Sequence, residues 1–134
     1  MPIKSIQVKD YMSGSLITFT PDMDVRDAIH ELVKHRIAGA PVVDSHGTLV
    51  GMLSEFDCLS VILKAAYHEH PGGPVSELMT TEVDTVDASM SIIDLAELFA
   101  ASGYRRYPVI KDNMLVGQIS RRDVLRALEA LAAA

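Results

Sequence analysis

A single cysteine, Cys58, stands in the 134 residues of this chain. An internal disulfide framework is therefore impossible, and a lone thiol fits a reducing compartment. No apolar run approaches the roughly 18 residues that cross a bilayer. The opening Met1-Pro2-Ile3-Lys4-Ser5 lacks the apolar stretch of a secretory signal. These absences predict a cytoplasmic protein without a membrane partner. An excess of positive charge is missing too. Twelve basic against 18 acidic side chains leave a formal charge of −6, which speaks against nucleic acid as a partner. No Ser-His-Asp order, nucleophile elbow or Walker lysine is visible, so no catalytic residues are assigned and the chain is not read as an enzyme.

What is present is an ordinary globular balance, 49% hydrophobic and 22% charged, enough for one compact domain or two small units sharing a core. Charge is unevenly placed. The second half holds ten acidic and six basic residues, yet five of those six bases are arginines between Arg105 and Arg126. A local basic patch in an acidic protein suits a small anionic ligand better than a polyanion.

The chain also repeats itself. At an offset of 67 residues Val8 falls on Val75, Met12 on Met79, Thr18 on Thr85, Met23 on Met90, Asp27 on Asp94, and Pro41-Val42 on Pro108-Val109. The Asp44–Gly47 turn loses one residue in the second copy. At an offset of 66, Leu49-Val50-Gly51 then meets Leu115-Val116-Gly117, Ser54 meets Ser120, Asp57 meets Asp123 and Leu59 meets Leu125. A repeat of this length is a supersecondary unit that buries its apolar face against its neighbour.

Each copy predicts the same elements. A leading segment (Val8–Met12, Val75–Met79) precedes a strand near Leu16–Phe19 or Val83–Val86. Asp22 and Ser89 are the expected N-caps. Val25, Ala28, Ile29, Leu32 and Val33 keep helical spacing, as do Ile92, Leu95, Ala96, Phe99 and Ala100. Gly103 is the expected stop of the second of these helices. Two apolar strands around a turn follow (Pro41–Val43 and Leu49–Leu53; Pro108–Ile110 and Leu115–Ile119), and a closing helix begins at Ser54 or Ser120. The intervening His68-Glu69-His70-Pro71-Gly72-Gly73-Pro74 is rich in helix and strand breakers.

Gly51-Met52-Leu53-Ser54-Glu55-Phe56-Asp57 and Gly117-Gln118-Ile119-Ser120-Arg121-Arg122-Asp123 share a Gly-apolar-apolar-Ser-x-x-Asp signature, preceded by Ala40-Pro41-Val42-Val43-Asp44 and Tyr107-Pro108-Val109-Ile110. On these residues the chain resembles a tandem pair of cystathionine-β-synthase (CBS) domains, a Bateman module, over about Val8 to Leu128. The resemblance implies an α/β (α+β) fold of two βαββα repeats related by a pseudo-twofold axis and packed through their sheets. The expected divisions are a first repeat at 1–66 (core 8–65), a linker at 67–74 and a second repeat at 75–134 (core 75–128).

The resemblance further implies clefts that take an adenine nucleotide (AMP, ADP or ATP) as ligand, with no cofactor required. Asp57 and Asp123 become acceptors for ribose hydroxyls, Ser54 and Ser120 phosphate-side donors, and Ser13, Ile17, Thr80 and Asp84 the adenine-contacting edge. The chemistry is sound, since a carboxylate accepts two hydroxyls and a helix N-terminus offers free N–H groups to an anion. Ser-x-x-Asp at a helix start is equally a capping box that needs no ligand.

Two arginine pairs, Arg105-Arg106 and Arg121-Arg122, belong to the second copy, where the first has Ala38-Gly39 and Glu55-Phe56. The resemblance implies that both pairs border one cleft, so Arg105, Arg106 and Arg122 are expected at the phosphates, and the Asp123 cleft is preferred to the Asp57 cleft. His68 and His70 form a candidate metal pair, but no further ligand lies nearby in sequence and no metal is assigned. Cys58 reads as packing, and the seven methionines as core fill.

The expected function is a ligand-sensing module that regulates a separate, unidentified protein and, as the family commonly does, forms a homodimer through its helices. The alternatives are an interaction module with empty clefts, and a site for S-adenosylmethionine or a similar adenosyl ligand.

Overall fold

The computed structural model describes residues 2–67 and 72–133. The chain is mixed α+β, with four α-helices and two small sheets among these residues. The candidate metal pair His68 and His70 lies outside the described residues. Among the described residues no helix is long and apolar enough to cross a membrane.

Helix α1 (Val25–His35) and helix α3 (Ile92–Ser102) follow the predicted spacing. Val25, Ala28 and Leu32 are buried in one, and Ile92, Leu95 and Phe99 in the other, whereas Val33, Ala96 and Ala100 are exposed. The N-caps differ from expectation. They are Asp24, which accepts from the Arg26 amide, and Ser91, which accepts from the Asp94 amide, two residues beyond Asp22 and Ser89. The Met23 and Met90 carbonyls explain the delay. They accept from the Val75 and Val8 amides, both at 2.8 Å, so the chain there is pinned outside the helix. Gly103 does end α3, in the left-handed conformation at φ 76°.

Strands β1 (Gly39–Val43) and β2 (Leu49–Ser54) pair antiparallel and lead into α2 (Glu55–Tyr67). In the second copy β3 (Val86–Asp87) runs parallel to β4 (Arg106–Lys111), which pairs antiparallel with β5 (Met114–Ser120) before α4 (Arg121–Ala133). The shortened turn is a two-residue hairpin with Asp112 and Asn113 both at positive φ, as a tight reversal requires. The expected strands at Leu16–Phe19 and Val83–Val86 are later and shorter. Only Phe19 bridges to Val42, and only Val86–Asp87 joins its sheet. Leu16, Ile17 and Thr18 reach no ladder, so their backbone adds nothing to the sheet.

The packing does not follow the repeat. One compact unit is Ile17–Val83; the other joins Met1–Leu16 to Asp84–Ala134. Each leading segment has crossed to the other copy's unit. Val8 and Lys9 donate to Met90 and Ala88, while Val75 and Ser76 donate to Met23 and Pro21. Val8 is fully buried with Ile92, Leu95, Val109 and Ile119; Val75 is fully buried with Val25, Phe19, Val42 and Leu53. Each large side chain so buried contributes roughly 1.5–3 kcal/mol. The matched methionines follow suit. Met12 and Met90 pack on the first of these cores, Met23 and Met79 on the second.

Candidate functional site

The signature glycine is where the crossed segment passes. A Cβ on Gly117 would lie 2.6 Å from the Met12 Sδ and 2.8 Å from the Ser13 carbonyl oxygen. On Gly51 it would lie 2.7 Å from the Met79 Sδ and 2.9 Å from the Thr80 oxygen. With only hydrogens there, Ser13 exchanges both backbone hydrogen bonds with Gln118 at 2.9 Å, and Thr80 does so with Met52 at 2.9 Å. The expected edge residues are therefore redistributed. Ser13 and Asp84 belong with Ser120 and Asp123, whereas Ile17 and Thr80 belong with Ser54 and Asp57.

Both Ser-x-x-Asp motifs form capping boxes. The Asp57 Oδ2 accepts from the Ser54 amide at 2.9 Å, and the Ser54 Oγ accepts from the Asp57 amide at 3.1 Å. In the second copy the Asp123 Oδ2 accepts from the Ser120 amide at 2.9 Å and from its hydroxyl at 3.0 Å, and the Asp123 amide donates back at 3.3 Å. Here the copies diverge. The Asp123 Oδ1 also accepts from the Arg126 Nη1 at 2.8 Å. Among the described residues nothing donates to the Asp57 Oδ1.

The arginines separate as well. Arg121 is committed to the end of α3. Its Nε donates to the Tyr104 carbonyl and its Nη2 to the Gly103 carbonyl, both at 2.7 Å, which ties the start of α4 to the turn that leaves α3. Arg106 stands across the ladder from Ser120, and the Arg121 amide donates to the Arg105 carbonyl at 3.1 Å. Arg105, Arg106 and Arg122 are exposed, and among the described residues their side chains have no hydrogen bond or ion pair.

Asp84 accepts from the Tyr104 hydroxyl at 2.8 Å, and this bond, with the adjacent negative charge, pushes the phenol above its ordinary range. Tyr104 meets Tyr107 edge to face at 5.3 Å. Burial, then the Asp57 and Glu55 charges, push the Cys58 thiol upward, as suits a packing residue rather than a nucleophile. Among the described residues no group of three His, Cys, Asp or Glu side chains is placed to hold a metal.

Residues 8–64 and 75–130 each match the CBS domain family. The chain belongs to that family. It is 33% identical over 118 residues to the CBS domain-containing protein YhcV of Bacillus subtilis, covering 87% of this chain and 81% of that one. The CBS protein CBSX2 of Arabidopsis thaliana, solved in complex with AMP, superposes with a TM-score of 0.80 at 32% identity, over 95% of this chain and 98% of that one. The CBS domain pair of MJ0100, solved in complex with 5′-methylthioadenosine and S-adenosyl-L-methionine, gives a TM-score of 0.71 at 26% identity, over 93% and 97%.

Within this CBS pair, sequence reasoning passed over Tyr104, Arg126 and Tyr11. Arg126 was within its reach, since a cation three residues after an aspartate on a helix is a recognised pairing. Tyr11 was not. Its ring centroid lies 5.7 Å from the Arg126 guanidinium carbon only because the leading segment has crossed over.

Proposed function

We propose that the chain is a regulatory, non-enzymatic sensor that binds an adenine nucleotide through its second-copy signature and thereby changes its affinity for a partner protein. The observation that carries this reading is the grouping at the start of α4: Ser120 and Asp123 at the helix N-terminus, with Arg105, Arg106 and Arg122 near them in the chain or across the ladder and, among the described residues, without side-chain hydrogen bonds. A phosphate gains charge-assisted hydrogen bonds from such guanidinium groups and from the helix terminus. A ribose gains the Asp123 carboxylate. Asp84 and Ser13 belong to the same unit and supply the base-side edge. The AMP held by CBSX2 supports the ligand class. Binding acts on the partner as allostery does, through different affinities for two states. We place this activity in the reducing cytoplasm, with which a buried free Cys58 accords.

A second reading has its own observation. Both aspartates already serve as caps, and α2 exposes Phe56, Leu59, Ile62, Leu63 and Tyr67, with Phe56 at 81% and Tyr67 at 82%. An apolar stripe of that kind marks an interaction face. On it the chain is a homodimerisation module, with or without ligand.

Thermal unfolding with AMP, ADP, ATP and S-adenosylmethionine separates the readings. A ligand at one hundred times its Kd adds about 2.7 kcal/mol to the native state, a shift of several degrees. The sensor reading expects a shift with a nucleotide that disappears in Asp123→Ala, each variant being compared with its own ligand-free midpoint. Charge reversal at Arg105 and Arg106 should abolish the shift for AMP and spare it for S-adenosylmethionine. No shift with any ligand at millimolar concentration would leave the interaction module.

A further inference from the structure

A carboxylate has about four acceptor positions, and two vicinal ribose hydroxyls need two of them. Asp123 has three engaged: two at Oδ2 by the Ser120 amide and hydroxyl, and one at Oδ1 by Arg126. Among the described residues Asp57 has one engaged, by the Ser54 amide. The corresponding place to Arg126 in the first copy is Ser60, whose hydroxyl donates to the Asp57 backbone carbonyl at 2.9 Å and leaves the carboxylate alone. The corresponding place to Tyr11 is Leu78. The crossing of the leading segments puts Tyr11 in the unit that holds Arg126, and Leu78 in the unit that holds Ser60. Cation, aromatic and crowded carboxylate thus occur together in one unit, and their counterparts in the other lack all three features.

We propose that Arg126, braced by Tyr11, is an internal latch on Asp123. It occupies the acceptor position that a ribose requires and is displaced when a ribose enters. This rests on the nucleotide reading above and adds its regulation. Arg126 is 59% exposed while the carboxylate it grips is 18% exposed, so the guanidinium can swing into water without an uncompensated buried charge. The latch lowers the affinity of the second-copy site. It also couples occupancy to the leading segment, because a displaced Arg126 leaves the Tyr11 ring 5.7 Å away without its cation. Among the described residues the first-copy carboxylate has no such competitor.

Two measurements on the full chain test this. The first needs no ligand: a thermal-unfolding cycle of Tyr11→Leu, Arg126→Met and the double variant. The latch requires non-additivity, with Tyr11→Leu costing less once Arg126 is gone; additive effects overturn it. The second is calorimetric titration in an Asp57→Asn background, which removes the first-copy carboxylate. Arg126→Met should tighten adenosine and AMP by about two- to fivefold, the range of an exposed ion pair. It should leave 2′,3′-dideoxyadenosine unchanged, since that ligand brings no hydroxyls to Asp123. Weaker binding in Arg126→Met would make the arginine part of the ligand site and overturn the latch, as would equal affinities. If the cycle shows coupling while neither variant binds adenosine or AMP, the nucleotide reading falls, and with it the regulatory role; the ion pair then only steadies α4.

Discussion

At Gly117 a methyl group would need space that the Ser13 carbonyl already fills at 2.8 Å, and backbone cannot swing aside as the Met12 side chain can. Gly117→Ala should therefore destabilise by about 1–3 kcal/mol, the cost of forcing atoms into a packed site. Gly14→Ala is the control, because its Cβ would meet only the Val116 oxygen at 3.9 Å, an ordinary contact. Urea unfolding should lower the midpoint for the first variant and leave the second within about 0.5 kcal/mol of the parent. An unchanged Gly117→Ala midpoint would mean that the crossed segment does not pass there. The signature showed a glycine at both places but not its reason, since the atoms that exclude a side chain belong to a distant segment, Met12 and Ser13 for Gly117 and Met79 and Thr80 for Gly51. The serines and aspartates were more legible: Ser-x-x-Asp read as a capping box is what Ser54–Asp57 and Ser120–Asp123 form.

Among the elements, α1 and α3 were read from local spacing but their starts were not, whereas α2 and α4 begin directly after Ser54 and Ser120 as expected. The periodicity that predicted α1 and α3 is carried by side chains a turn apart, which any window of the sequence contains. The cap position depends on what holds the carbonyl before it. Because the Val8 amide claims the Met90 carbonyl, α3 begins after Ser91, and Ser89 instead closes a turn with Asp87. That turn holds the Asp87 carboxyl below its usual range, through its bonds from the Ser89 hydroxyl and amide. Ser91→Ala should cost about 1 kcal/mol of stability, as loss of a true N-cap does, and Ser89→Ala less than half as much. The reverse order in denaturant midpoints would restore the earlier cap. The short strands have the same origin. Phe19 and Val86 reach a sheet, but the residues before them have no ladder partner, and apolar content alone did not reveal where pairing begins.

The whole molecule holds the feature that the repeat itself conceals. Val8 and Val75, like Met12 and Met79, are identical residues, so a leading segment presents the same apolar pattern to its own copy and to the other. No periodicity can distinguish the two packings; contacts distant in sequence do, among them the hydrogen bonds to Met90 and Met23. The units should then open as cooperative blocks whose membership follows packing, not repeat order. Ile119→Ala empties space in the core that contains Val8, and Leu53→Ala does so in the core that contains Val75. Each leaves a cavity worth about 2–5 kcal/mol. Native-state hydrogen exchange at low denaturant should show Val8 and Lys9 losing protection in Ile119→Ala while Val75 and Ser76 keep theirs, with the opposite pattern in Leu53→Ala. Loss of Val8 protection in Leu53→Ala alone would return each leading segment to its own copy. It would also detach Tyr11 from Arg126, and with that the asymmetry between the two carboxylates would lose its support.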